Sequence, residues 1–173
     1  MTDKPSYLGL LNAVAVAERQ AGEYLNCWAD TTADPAVRAT IRTVALREAE
    51  HGLAFAKRID ELGFEVIDKP DRSHTAKLKT AASTELTDLD KFELLGLGTA
   101  PQTGRRDVFD SFFENKDLDP VTGGLLGRYI AEERDSARRL AGCHQALAAA
   151  SPSSKGSKKK SSKKKSSKSS KKK

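Results

Sequence analysis

The stretch Ala45-Leu46-Arg47-Glu48-Ala49-Glu50-His51 lies inside a segment bounded by Asp34-Pro35 at its start and Gly63 just past its end. An aspartate able to cap, a proline at the first helical position and a glycine after the last are helix punctuation. The pattern predicts a helix over 34–62. Its apolar positions Val37, Ile41, Val44, Phe55, Ile59 and Leu62 recur in steps of four and three, which marks one buried stripe. Continued through the gap between Val44 and Phe55, the stripe lands on Glu48 and His51. A carboxylate and an imidazole therefore sit one turn apart on the face that should be core. Burying a carboxylate without a partner costs several kcal/mol. Either a hydrogen-bonded polar network or a metal ion must supply that partner.

Three further helical segments surround this one. The first is expected over 6–30, where Leu8, Leu11, Val14, Ala21, Leu25 and Trp28 keep a 3–4 rhythm with Glu18 in its gap. The short loop Thr31-Thr32-Ala33 folds helix two back antiparallel on helix one. After Gly63 the β-branched run Phe64-Glu65-Val66-Ile67, ending at Pro70, predicts an extended connection. About ten residues span up to roughly 33–36 Å, enough for a crossover to the other end. A third helix is expected over 73–97, with Leu78, Ala82, Leu89, Phe92 and Gly96 as its stripe and Glu85 in the gap. A second reading of that face runs through Leu86, Leu89, Glu93 and Leu97. Residues 107–114 predict a short amphipathic helix over one end of the bundle. Asp119-Pro120 repeats the start signal of helix two, and helix four is expected over 119–149 with Glu133 and Ser136 in the gaps of its stripe.

The depths of the four acids match. Glu18 lies twelve residues after Ser6, Glu48 fourteen after Asp34, Glu85 twelve after Ser73, and Glu133 fourteen after Asp119. Each is then roughly 18–21 Å along its own helix, at one mid-height layer of a bundle. Four inward carboxylates at one level require counter-charge. A pair of divalent cations is the economical solution, and glutamates with Glu-x-x-His on bundle helices are the pattern of carboxylate-bridged di-iron or di-manganese proteins.

Glu18-x-x-Ala21-x-x-Tyr24 followed by Glu48-x-x-His51 resembles the first half of rubrerythrin-like members of the ferritin-like superfamily. The resemblance extends in layout over roughly residues 6 to 148. It implies an all-α ferritin-like four-helix bundle with iron or manganese as cofactor. It further implies Glu18, Glu48, Glu85 and Glu133 as carboxylate ligands, with Asp88 and Glu93 as alternatives on helix three, and His51 as nitrogen ligand. The activities it implies are of the ferroxidase or peroxidase kind. One departure matters: the family pattern puts a second histidine at position 136, and this chain has Ser136. A serine hydroxyl is a poor iron ligand, so a second metal position would be depleted or lost. No Cys-x-x-Cys pair supplies an electron-transfer module.

Composition divides the chain into a helical domain over 1–150 and a tail over 151–173. The tail holds eleven Lys, ten Ser, one Pro and one Gly. Removing those eleven from the 30 Lys plus Arg leaves 19 against 24 acids, so the body is near −5 and the tail +11. With no apolar residue to bury, the tail is expected to be disordered. Its composition resembles the lysine-rich tails of linker histones and of some bacterial nucleoid proteins. Lys155, Lys158, Lys159, Lys160, Lys163, Lys164, Lys165, Lys168, Lys171, Lys172 and Lys173 would condense on nucleic acid or another polyanion, without arginine or aromatic side chains to read bases. Cys27 and Cys143 show no metal spacing and are expected as reduced thiols. The start Met-Thr-Asp-Lys-Pro lacks an apolar stretch, and no run approaches membrane-spanning length, so a cytoplasmic, nucleoid-associated protein without a membrane span is expected. Arg38, Arg42, Arg47 and Arg58 read as solvated surface, His74 as a loop or helix-start residue and His144 as a helix-end residue.

Two functions remain open on these residues. One is a metal-binding redox or iron-handling protein tethered to nucleic acid by its tail. The other is a non-enzymatic, metal-free, degenerate bundle that binds polyanions, with Glu48, His51 and Glu133 in a dry polar core. A homodimer is compatible with either.

Overall fold

Two Asp-Pro starts set the frame of the protein. The computed structural model describes residues 4–69, 71–99 and 114–151. Asp34 accepts hydrogen bonds from the backbone N–H of Ala36 at 2.7 Å and Val37 at 3.2 Å, and opens α2 (Pro35–Glu61). Asp119 accepts from Val121 and Thr122, both at 3.0 Å, and opens α5 (Pro120–Ala150). Each caps orphan donors of a first turn. The first helix, α1, is Leu8–Thr31. The described residues are helical without strands, and no helix among them is long and apolar enough to cross a membrane.

Helix three is where the expectation of one element over 73–97 fails. The structure has two short helices there, α3 (Arg72–Ala82) and α4 (Asp88–Leu94). The apolar spacing continues across the break, but local side chains compete with the helix. Ser83 Oγ accepts from the N–H of Glu85 at 3.2 Å and Leu86 at 3.3 Å. Thr87 then starts a new helix with a reciprocal capping box to Asp90. Such side-chain bonds satisfy backbone donors outside the helix and so end it. The expected short helix at 107–114 lies, apart from Glu114, outside the described residues, as does the tail beyond Ser151.

Cross-links fix the directions of the elements. α5 runs antiparallel to α2, with Asp119 on Arg58 at 3.0 Å and Asp135 on Arg47 at 2.6 Å. It runs parallel to α1, since Tyr7 donates to Asp119 at 2.6 Å and Tyr129 to Glu18 at 2.9 Å. The connection after Gly63 returns along α1: the Asn12 amide bonds both the N–H (2.7 Å) and the carbonyl (3.0 Å) of Ile67. α3 continues beside α1, with His74 on Glu23 at 2.9 Å.

The core has two apolar halves. One gathers Leu11, Phe55, Ile59, Leu126 and Ile130; the other gathers Trp28, Ile41, Val44, Phe92 and Leu140. Phe92 meets Trp28 edge-on at 4.7 Å. Glu18, Glu48, His51 and Ser136 are buried in the layer between the halves. Lys91 is also buried; its ammonium donates to Thr31 Oγ1 at 2.8 Å and to the Ala81 carbonyl at 2.9 Å, tying the ends of α1 and α3 to α4.

α1 and α2 touch closely on both sides of that layer. A Cβ on Gly22 would lie 3.0 Å from the Ala49 backbone, and one on Gly52 only 2.8 Å from the Arg19 backbone. Gly52→Ala should therefore destabilise the protein by roughly 1–3 kcal/mol through forced separation of the two helices. Gly124→Ala is the control, because its Cβ would meet nothing within 4 Å and helix propensity favours alanine by roughly 1 kcal/mol. Thermal melting of the pair checks this; equal melting temperatures would show that the close crossing carries no constraint.

Candidate metal centre

Three long helices deliver the polar layer. Glu18 comes from α1, Glu48 and His51 from α2, and Glu133 from α5, and one ligand-type atom of each lies within 4.8 Å of all the others. Glu18 and Glu48 are each 6% exposed and His51 4%. The two nitrogens of His51 have different surroundings. Nε2 is 2.7 Å from Glu132 Oε2, whereas Nδ1 faces Glu18 Oε2 at 3.6 Å and Glu133 Oε1 at 3.5 Å. Those separations are too long for hydrogen bonds. Glu18 Oε2, His51 Nδ1 and Glu133 Oε1 are accordingly buried without a hydrogen-bond partner, and all three face one another. Buried polar atoms are nearly always satisfied. A cation placed among two carboxylate oxygens and an imidazole nitrogen would satisfy all three at once, so the donor set fits a metal.

The surroundings hold these groups in place. Glu132 sits on the far nitrogen of His51, the arrangement in which an outer carboxylate orients a ligating imidazole. Arg128 in turn binds Glu132 at 3.0 Å and reaches Glu50 on α2. Tyr129 donates to Glu18 Oε1, and its ring stands edge-on to His51 at 5.1 Å.

Without a cation, protons carry the counter-charge. Burial, then the neighbouring Glu18 and Glu133, push the Glu48 carboxyl up to about 11, so it holds its proton. Burial alone would lower His51, but the carboxylates of Glu133, Glu18 and Glu132 outweigh it and hold the imidazole up to about 10. Burial would raise Glu18, yet His51, Glu48 and Tyr129 together keep it below the usual carboxylate range. Burial and the three glutamates push the Tyr24 phenol up to about 12.

The remaining sequence candidates lie elsewhere. Glu85 is exposed in the turn between α3 and α4, because the break at Ser83 takes it off any helix, and the structure does not bring it to the cluster. Of its alternatives, Asp88 accepts from Trp28 Nε1 at 2.6 Å and Thr32 Oγ1 at 2.7 Å at the end of α1, and Glu93 is exposed. Ser136 is buried beside the cluster and accepts from Arg47 Nη1 at 3.4 Å. Arg47 and Arg58 are not simple solvated surface: Arg58 bonds Thr122 at 2.9 Å as well as Asp119. Their interhelical partners lie far away in sequence. Glu132 was not evident from the stripe, though adjacent glutamates on a helix point about 100° apart and can bracket a ring on a neighbouring helix.

No protein-family model, curated protein or solved structure matches this chain.

The protonated cluster makes a pH prediction for chelator-treated protein. His51 is raised from 6.5 to about 10, so its contribution is complete below pH 6.5 and lost as pH rises through 10. Glu48, raised from 4.5 to about 11, acts in the same direction. Lowered Glu18 adds stability above its unfolded value and loses it in acid. The melting temperature should fall steadily from pH 6.5 to 10, and His51→Gln should flatten that slope. A slope of equal size in His51→Gln would remove His51 as a source and leave Glu48 to account for it.

Proposed function

We propose that the protein is a ferritin-like metal-binding protein that holds one iron or manganese ion per chain and is tethered to nucleic acid by its lysine tail. The observation that carries the metal reading is the set of three buried, unpartnered atoms, Glu18 Oε2, His51 Nδ1 and Glu133 Oε1, turned toward one point. Glu18, Glu48, Glu133 and His51 Nδ1 would hold the ion. Three hard carboxylates with one imidazole suit iron or manganese. When bound, such an ion supplies one-electron redox chemistry of the ferroxidase or peroxidase kind.

The chain's own residues supply the remaining functions. Glu132 fixes the ring so that Nδ1 faces the carboxylates, and Tyr129 fixes Glu18. Ser136 and the exposed Glu85 leave a second metal position without its histidine and its helix-three carboxylate, which supports a single ion. Those same two residues favour a second reading, a metal-free polar core in which protons on His51 and Glu48 neutralise the layer.

Metal analysis separates the two. Protein purified without chelator should carry about one iron or manganese per chain, Glu132→Ala should lose roughly 10–100-fold in affinity, the usual scale for loss of a ligand's outer partner, and His51→Ala should lose more. Ser136→His should raise the content from about one towards two. Metal-free protein whose Ser136→His variant stays metal-free and melts lower, at a cost of roughly 1–3 kcal/mol for overpacking, would favour the polar core.

The tail has its own test. Eleven lysines could displace up to roughly ten counterions on DNA, so binding should weaken steeply between roughly 50 and 200 mM salt and be alike on unrelated duplexes. Deleting Ser151–Lys173 should leave folding intact and abolish binding, since the body near −5 repels DNA on average. A truncated protein that still shifts duplexes in a gel would move recognition into the helical body.

A further inference from the structure

The buried layer is shut in on most sides. Above and below it lie the two apolar halves of the core, which a cation crosses only by giving up its water without compensation. Between α1 and α2 the backbones meet on both sides of the layer: a Cβ on Gly22 would lie 3.0 Å from Ala49, and one on Gly52 2.8 Å from Arg19. Between α2 and α5 the gap is bridged by Arg47 on Asp135, Glu132 on His51 and Arg128 on Glu50. Among the described residues, that leaves the side between α1 and α5.

On that side Glu18, Glu48 and Glu133 line a cavity of about 480 Å³. Glu18 is buried, and its Oε2 has no hydrogen-bond partner, so the inner wall holds an acceptor that calls for a cation. The outer end reaches solvent, because Ala17, Asp71 and Lys77 line the same cavity and are exposed. A six-water shell around an ion, at roughly 30 Å³ per water, takes less than half of the cavity's volume. Lys77 is the one cationic side chain of the lining. Its ammonium stands 5.5 Å from the centre of the Tyr24 ring, which is buried in the same wall, an arrangement that attracts a cation to a ring face. Asp71, the acid at that end, gives one oxygen to the Ser73 N–H.

We propose that the metal ion reaches and leaves the layer through this cavity, and that Lys77 at its outer end sets the rate of passage. The three glutamates draw a cation inward, whereas the Lys77 ammonium repels it at the entrance. Ala17 borders that entrance with a single methyl group. The proposal rests on the metal-site reading above; it adds a path and a kinetic control to the ligands already named.

The test follows Co2+ uptake by chelator-treated full-length protein in a stopped-flow absorbance experiment, with cobalt content and affinity measured at equilibrium. Release from the loaded protein into excess chelator is timed separately. Ala17→Trp, a change at an exposed position, should slow uptake and release by the same factor, about tenfold for a modest added barrier, with affinity unchanged. Lys77→Glu should speed uptake about tenfold at low salt, the lower end of charge steering, and the gain should shrink as salt is added. Lys57→Glu is the control: it alters net charge equally from α2, outside the cavity lining, and should leave the rate near that of the parent protein. Unchanged rates in either Ala17→Trp or Lys77→Glu overturn the proposal. So does equal acceleration by Lys77→Glu and Lys57→Glu, or an Ala17→Trp variant that alters affinity rather than both rates together. Failure of the parent protein to take up cobalt at all overturns the metal-site reading beneath it, and this inference with it.

Discussion

Three carboxylates and an imidazole are shut into one layer between two apolar halves, and the need to neutralise that layer constrains everything around it. An isolated buried charge is too costly to persist. The protein meets the requirement first with protons, held on Glu48 and His51 by burial and by one another's fields. A metal would meet it by displacing those protons, so uptake of an ion is coupled to pH. The rest of the frame keeps the layer from relaxing. Gly22 and Gly52 let α1 and α2 approach until no side chain could intervene, while Arg47 and Arg58 pin α5 against α2 at two heights.

The arrangement is unequal around its axis. α1, α2 and α5 each bring an acid to the layer. The third region instead brings Lys77 to the adjoining cavity and buries Lys91 at the end of α1. Its breakage at Ser83 follows from hydroxyl bonds to the backbone, and the consequence is chemical as well as architectural. A carboxylate that would have closed the layer, Glu85, stands in solvent, and the side it leaves is the side with the cavity.

Much of this was legible in the sequence because helical periodicity is a long-range ruler. Asp34-Pro35 and Asp119-Pro120 mark the starts, and equal counts from them to Glu48 and Glu133 place both acids at one depth. The gap in the α2 stripe gives His51 in the same way. Glu85 was misplaced because apolar spacing alone does not register a helix that stops and restarts in phase. Thr87-x-x-Asp90 was the available local signal, a capping box opening directly before Leu89 and Phe92. Glu132 and Arg128 were hidden for another reason. They sit on the flank of α5, outside the stripe, and their roles exist only because α2 lies beside them.

Arg128 joins the outside of the molecule to its inside. It is more than half exposed, as is its partner Glu50, yet it holds the Glu132 carboxylate that meets the His51 ring. Dissolved ions weaken exposed pairs over about a Debye length, some 8 Å in physiological salt, and hardly touch contacts in the interior. The orientation of a ring sealed from water is thereby linked, through two side chains, to the ionic strength of the medium around the protein. The same variable governs the grip of a lysine tail on a polyanion.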